Sequence, residues 1–270
     1  MRWTPPPRRL ALVTGASAGI GVAWARHLAE RGFDLALTAR RVERLEALGA
    51  ELRGRGAQVL VLPEDLSDPG APDRLLAEVA EHGRSVDVLI NNAGYGLPGS
   101  YARTTWAEQS AFLQLMLTSV CELTHKALPP MLERRYGRVV NVASLAGLIP
   151  GAAGHTLYGA TKSFLIKFSQ SLHLETRGAG VRVCAVCPGF TWSEFHDVNG
   201  TRERVTAGVG RWAWQTAEAV VAEGWAATEA GRAVVVTGGP NKTVAALAKL
   251  LPDAVALGIM ARQSARIRQP

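Results

Sequence analysis

The stretch RLALVTGASAGIGVAWARHLAERG (9–32) decides the fold. It opens as a short apolar run, turns through Gly15, Gly19 and Gly21, and continues as a segment of helical period. Gly15 permits a sharp exit from a strand, and Gly19 lets backbone N–H groups approach a pyrophosphate. Gly21 lets the helix pack closely on the sheet. Ser17, Ala18 and Ile20 fill out the turn, and the helix start adds orphan N–H groups and the positive end of its dipole. A strand, a glycine turn and a helix in that order predict a dinucleotide-binding unit.

The same alternation runs outward along the chain. Strand-like runs stand at 9–15, 34–40, 58–65, 86–94, 137–144, 180–189 and 232–239, and helical candidates at 18–31, 41–55, 70–82, 106–134, 157–177 and 215–229. Near-continuous hydrophobicity in the strands suits a sheet covered on both faces. Strands separated by helices call for right-handed crossovers. The expected class is α/β: a Rossmann-like, doubly wound, seven-stranded parallel sheet with helices on both faces. With no repeat or linker, residues 1–270 read as one domain, and a helical pair near 241–251 and 253–266 forms its C-terminal extension over 240–270. The irregular stretch 190–213 is long enough to be a lid or binding loop.

The end of the second strand bears on the cofactor. An NAD site needs an acid there for the ribose 2′-hydroxyl. This chain has Arg40 and Arg41 instead. A guanidinium binds a 2′-phosphate through paired charge-assisted hydrogen bonds, and Ser17 adds a hydroxyl. The expected cofactor is NADP(H).

Tyr158 and Lys162 lie four apart in a helical segment and so share a face. A phenol with a pKa of about 10 is a poor base at neutral pH, and a nearby ammonium favours its phenolate. Ser144 closes the fifth strand, 14 residues before the tyrosine, and can hydrogen-bond a substrate oxygen. These three are the expected catalytic residues for hydride transfer to or from a carbonyl or secondary alcohol.

Taken together, TGASAGIG (14–21), Asp65-Leu66, NNAG (91–94), Ser144, YGATK (158–162) and PGFT (188–191) resemble the short-chain dehydrogenase/reductase family over roughly residues 8 to 240. LTSVCELTHKALPPM (117–131) is similar to its DltE-like reductase subgroup. The resemblance implies that Asp65 and Leu66 flank the adenine and that Asn92, Ala93 and Gly94 line the cofactor. It also implies that Lys162 holds the nicotinamide ribose and that Pro188, Gly189 and Thr191 contact the nicotinamide end. Tyr158 would protonate the substrate oxygen while Ser144 steadies the oxyanion. One position departs from the family: Met116 stands where an Asn usually anchors the proton relay to the lysine, and Ser119 is a candidate substitute. The alternative that follows is a nucleotide-binding regulatory or scaffold protein with impaired turnover. An isomerase or dehydratase is a smaller option. Family members often dimerise through the helices at 106–134 and 157–177, so a homodimer or homotetramer is expected.

Composition bounds the remaining choices. The net charge of +7 comes from 30 Lys+Arg against 23 Asp+Glu, scattered rather than interleaved with aromatics, which argues against nucleic acid. Lys249, Pro252 and Asp253 interrupt the apolar C-terminal stretch before it reaches the roughly 18 residues of a membrane span. With three cysteines, no leader-like N-terminus and no His/carboxylate cluster, the reading is a cytoplasmic enzyme without a metal. Cys184 and Cys187 form a CxxC on a strand, whose period of two turns them to opposite faces. Trp192 and Phe195, with Trp212 and Trp214, suggest an apolar cover and hence an apolar substrate. Tyr95 and Leu97 are candidates for the facing wall, and His155 and His196 for the pocket rim.

Overall fold

Alternation hidden inside uniformly apolar runs sets the layers. In β2 (Asp34–Thr38), Leu35 and Leu37 face one core while Ala36 faces the other. In β1 (Leu10–Thr14), Ala11 and Val13 oppose Leu10 and Leu12 in the same way. A computed structural model of the protein describes residues 8–97, 99–195, 203, 206 and 209–267.

Seven parallel strands form the sheet. After β1 and β2 come β3 (Val59–Val61), β4 (Val86–Asn91), β5 (Gly137–Val142), β6 (Val181–Cys187) and a last strand, Val234–Val236, in the order 3-2-1-4-5-6-last. One face carries α1 (Gly19–Glu30), α2 (Val42–Gly54) and the helix Ala217–Glu229. The other carries α3 (Ala71–Glu81), a long central helix and α6 (Thr156–Thr176). Trp24 of α1, fully buried, meets Trp225 edge-on at 6.3 Å and locks two helices of the first face together. The expected doubly wound sheet is what the chain forms. Its strand order reverses between β1 and β4, the switch point where such sheets bind ligands beyond the strand ends.

The structure refines three boundaries. The helix expected over 106–134 is two segments, α4 (Trp106–Leu113) and α5 (Ser119–Glu133), joined by a π-helical turn at Gln114–Thr118. Thr105 starts α4 with a reciprocal cap to Glu108. Within 190–213, Phe190–Trp192 is a strand, β7, which pairs in parallel with β8 (Trp214–Thr216), and so residues expected to open a helix are extended. The next helix, α7, therefore starts at Ala217, capped by Thr216 through the Ala219 N–H at 3.2 Å. With β9 (Val234–Val236) closing the sheet, α8 (Gly239–Leu250) and α9 (Asp253–Ile267) form the C-terminal pair. Cys184 and Cys187 face different clusters, as strand alternation requires, and Cys121 is half-buried. No described helix is long and apolar enough to cross a membrane.

Candidate active site

A cleft of about 1640 Å³ opens where the strands end. Gly15, Ser17, Ala18, Gly19 and Ile20 line it after β1. Arg40 and Arg41 follow β2, Asp65 and Leu66 follow β3, and Asn92, Ala93 and Gly94 follow β4. Ser144, Tyr158 and Lys162 come from β5 and α6, Pro188 and Gly189 follow β6, and Thr191 comes from β7. Of the cofactor and catalytic residues expected from sequence, Gly21 alone stands behind the wall. It is buried, and a methyl group there would overlap the Gly15 carbonyl oxygen and come within 2.8 Å of Asn92 Nδ2. The glycine therefore lets α1 start directly against the turn.

Hydrogen bonds clamp this turn to β4. Thr14 Oγ1 donates to the Ile90 carbonyl at 3.1 Å and accepts the N–H groups of Asn92 and Ala93, both at 2.9 Å. Asn92 Nδ2 donates back to the Thr14 carbonyl at 2.9 Å and the Gly15 carbonyl at 3.3 Å. The Asn92 amide thus braces the turn. Beneath the floor, a buried polar chain joins two strands to two helices. Asn91 Nδ2 donates to Thr124 Oγ1 at 3.1 Å and to Asn141 Oδ1 at 2.8 Å, and Asn141 Nδ2 donates to Ser169 Oγ at 2.9 Å.

At the basic end, Arg41 reaches Ser17 Oγ through Nε at 3.2 Å and Nη2 at 3.1 Å. Arg44, which the sequence reading missed, stands beside it with its guanidinium on Glu194. Arg40 leans across the rim, its Nη1 3.8 Å from Asp65 Oδ2. Asp65 Oδ1 accepts the Ser67 N–H at 2.9 Å and shapes the chain after β3. The close glycine turn and the guanidinium–hydroxyl cluster fit a dinucleotide carrying an extra phosphate.

At the other end, Lys162 is 6% exposed and its Nζ donates to the Val142 carbonyl at 2.7 Å. Burial pushes its ammonium down to about 8. The same Nζ lies 5.6 Å from the centre of the Tyr158 ring. Ser144 Oγ accepts the Ala146 N–H at 3.1 Å, which leaves the hydroxyl proton to point elsewhere. Met116 lies in the π-helical turn, buried, with its sulfur against Gly94. Ser119, the candidate substitute, donates to the Leu66 carbonyl at 2.7 Å and accepts from Gln114 Nε2 at 3.2 Å. Its hydroxyl serves the chain after β3.

The aromatic cover divides. Phe195 lies 5.8 Å from the Tyr158 ring, and His155 6.0 Å from it on the approach to α6. Trp212 lines the cleft, whereas Trp192 stacks on Trp214 at 4.2 Å in the small β7–β8 sheet and leaves the wall to others. Strand alternation explains this, since it puts Thr191 and Trp192 on opposite sides of β7. Tyr95 lines the facing wall, edge-on to Phe112 at 5.4 Å, and Leu97 does not. His196 falls outside the described residues. Val244 and Leu247 of α8, Leu251 just after it, and Ile259 and Met260 of α9 supply an apolar wall, so the C-terminal extension is part of the cleft. Among the described residues no cluster of His, Cys, Asp and Glu could hold a metal ion.

A family model described as short chain dehydrogenase matches residues 9–203. Nodulation protein G of Rhizobium sp. (strain N33) is 40% identical over 189 residues, covering 70% of this chain and 76% of its own. The NADP-dependent 3-hydroxy acid dehydrogenase YdfG of Salmonella typhi is 37% identical over 191 residues, covering 70% of this chain and 75% of its own. Among solved structures, a short-chain dehydrogenase from Sphingobium yanoikuyae in complex with NADPH superposes with a TM-score of 0.79 at 32% identity, covering 97% of both chains.

Proposed function

The chain belongs to the short-chain dehydrogenase family as an NADP-dependent oxidoreductase, and we propose that it interconverts an apolar carbonyl compound and its secondary alcohol with Tyr158 as acid and base. The observation that carries this reading is the buried Lys162 ammonium beside the Tyr158 ring, in the same cleft as the glycine turn. When bound, the nicotinamide cofactor supplies or takes up the hydride. Everything else falls to side chains. The Lys162 charge favours negative charge on the Tyr158 oxygen, which lowers the cost of giving its proton to a substrate oxygen. Ser144, its acceptor side engaged by Ala146, aims a proton at the same substrate oxygen and stabilises the charge developing there.

Phe195 and the α8–α9 wall exclude water and favour a substrate with an apolar body. In this reading Gly15, Ser17–Ile20, Arg40, Arg41, Asp65, Leu66, Asn92–Gly94, Pro188, Gly189 and Thr191 hold the cofactor. A homodimer or homotetramer is part of the same reading, supported by the exposed Phe164 and Leu174 on α6. So is a cytoplasmic location, which three free cysteines suit.

The test is Tyr158→Phe, assayed by NADPH absorbance over a panel of apolar ketones and aldehydes. Turnover should fall at least about 100-fold, while NADPH affinity by calorimetry stays within about threefold of wild type (about 0.7 kcal/mol). Equal turnover in the variant would remove Tyr158 from the chemistry.

A further inference from the structure

Three consecutive residues after β7 touch three parts of the cleft. Ser193 lies against the glycine turn, where a methyl group on Gly19 would come within 2.8 Å of its Cβ. Phe195 meets Tyr158 at the catalytic end. Between them, Glu194 crosses to α2. Its Oε2 accepts from Arg41 Nη1 at 2.9 Å, and Arg44 Nη1 donates to both oxygens, at 2.5 and 2.7 Å. Arg44 and then Arg41 hold the Glu194 carboxyl below its usual range, so it is ionised at neutral pH.

A carboxylate and a phosphate present a guanidinium with the same pattern of paired anionic oxygens. Two arginines at the start of α2, one also bonded to Ser17, therefore form a site that a 2′-phosphate and the Glu194 carboxylate cannot both fill. We propose that Glu194 is an internal competitor for the 2′-phosphate of NADP(H), and that Arg44 is a phosphate ligand beyond the residues at the strand end. The proposal rests on the NADP(H) reading above. Arrival of the phosphate frees Glu194, and with it the segment that carries Phe195 over Tyr158. A cofactor lacking the 2′-phosphate leaves the carboxylate in place. Glu194 thus sets how strongly the enzyme prefers the phosphorylated cofactor and links its binding to the substrate wall.

The experiment titrates adenosine 2′,5′-bisphosphate and AMP by calorimetry into the wild type, Glu194→Gln and Arg44→Gln. Glutamine keeps the size of the residue and removes the competing charge. It should tighten the bisphosphate about three- to tenfold, the scale of two half-exposed ion pairs, with AMP unchanged within about twofold. Arg44→Gln should weaken the bisphosphate about fivefold or more and barely move AMP. Unchanged or weaker bisphosphate binding in Glu194→Gln overturns the proposal. Equal affinity of the wild type for the two probes would instead defeat the NADP(H) reading on which it rests.

Discussion

Lys162 is a charge kept where water is scarce, and replacing it with methionine measures the cost. Its ordinary value of 10.5 falls to about 8 in the fold because burial disfavours the ammonium. That gap corresponds to about 3 kcal/mol of stability withheld while the group is charged. Methionine has similar length and no charge, but removes the donor to the Val142 carbonyl at 2.7 Å, a loss of about 1–2 kcal/mol. At pH 7 the Lys162→Met protein should therefore be about 1–2 kcal/mol more stable and inactive. Between pH 8 and 10.5 the unfolded chain still binds the lysine proton while the folded chain has released it. Stability of the lysine protein must then rise with pH relative to the methionine protein. By pH 10 it regains about 2–3 kcal/mol, and the order reverses. Urea unfolding of both proteins at pH 7, 8, 9 and 10, in a Tyr158→Phe background so that the phenol adds no titration, reads the crossover. Parallel stability curves would refute the claim that Lys162 is destabilised by burial.

Two further outcomes follow from the packing. Gly21→Ala should cost roughly 3 kcal/mol or more and abolish dinucleotide binding, because its methyl meets the backbone of Gly15 and no side-chain rotation relieves it. Thermal unfolding and a cofactor titration check both parts, and a variant that melts with wild type counts against the close approach. His27 is held neutral, pushed down to about 4 by burial and secondarily by Arg31, and it packs against Trp24 and Trp225. From pH 6.5 down to 4 the unfolded chain takes up a proton there that the folded chain refuses, so stability falls over that window. His27→Leu should flatten this acid slope in denaturation curves at pH 4.5 to 6.5, and an unchanged slope would place the proton uptake elsewhere.

The sheet was legible because its strands are apolar throughout and short, and two-sided burial is the arrangement that uses such a run fully. The floor of the site was legible for a related reason. In this sheet chemistry collects at strand ends, so Gly15, Arg41, Asn92, Ser144 and Gly189 all follow an apolar run in sequence. What stayed hidden depends on contacts without a period. Glu194 and Arg44 are 150 residues apart, and nothing in either neighbourhood announces the other. Strands β7 and β8 are three residues each, too short for alternation to show. The π-helical turn at 114–118 adds no unusual residue to the helical pattern. Nothing in the sequence pairs Asn91 with Asn141, 50 residues on, although one hydrogen bond joins them in the core.

The apolar wall from α8 and α9 comes from the chain after residue 239, whereas the glycine turn, the Arg41–Arg44–Glu194 cluster and Ser144, Tyr158 and Lys162 all lie before residue 196. Under the proposed function, part of the selection of what enters, shared with Tyr95, Phe195 and Trp212, is thus written on a different length of sequence from the reaction performed on it. Drift in the final 30 residues can exchange one greasy partner for another while Ser144, Tyr158 and Lys162 keep their relative positions. The tail is the part of this molecule that evolution, or an engineer, can rewrite first.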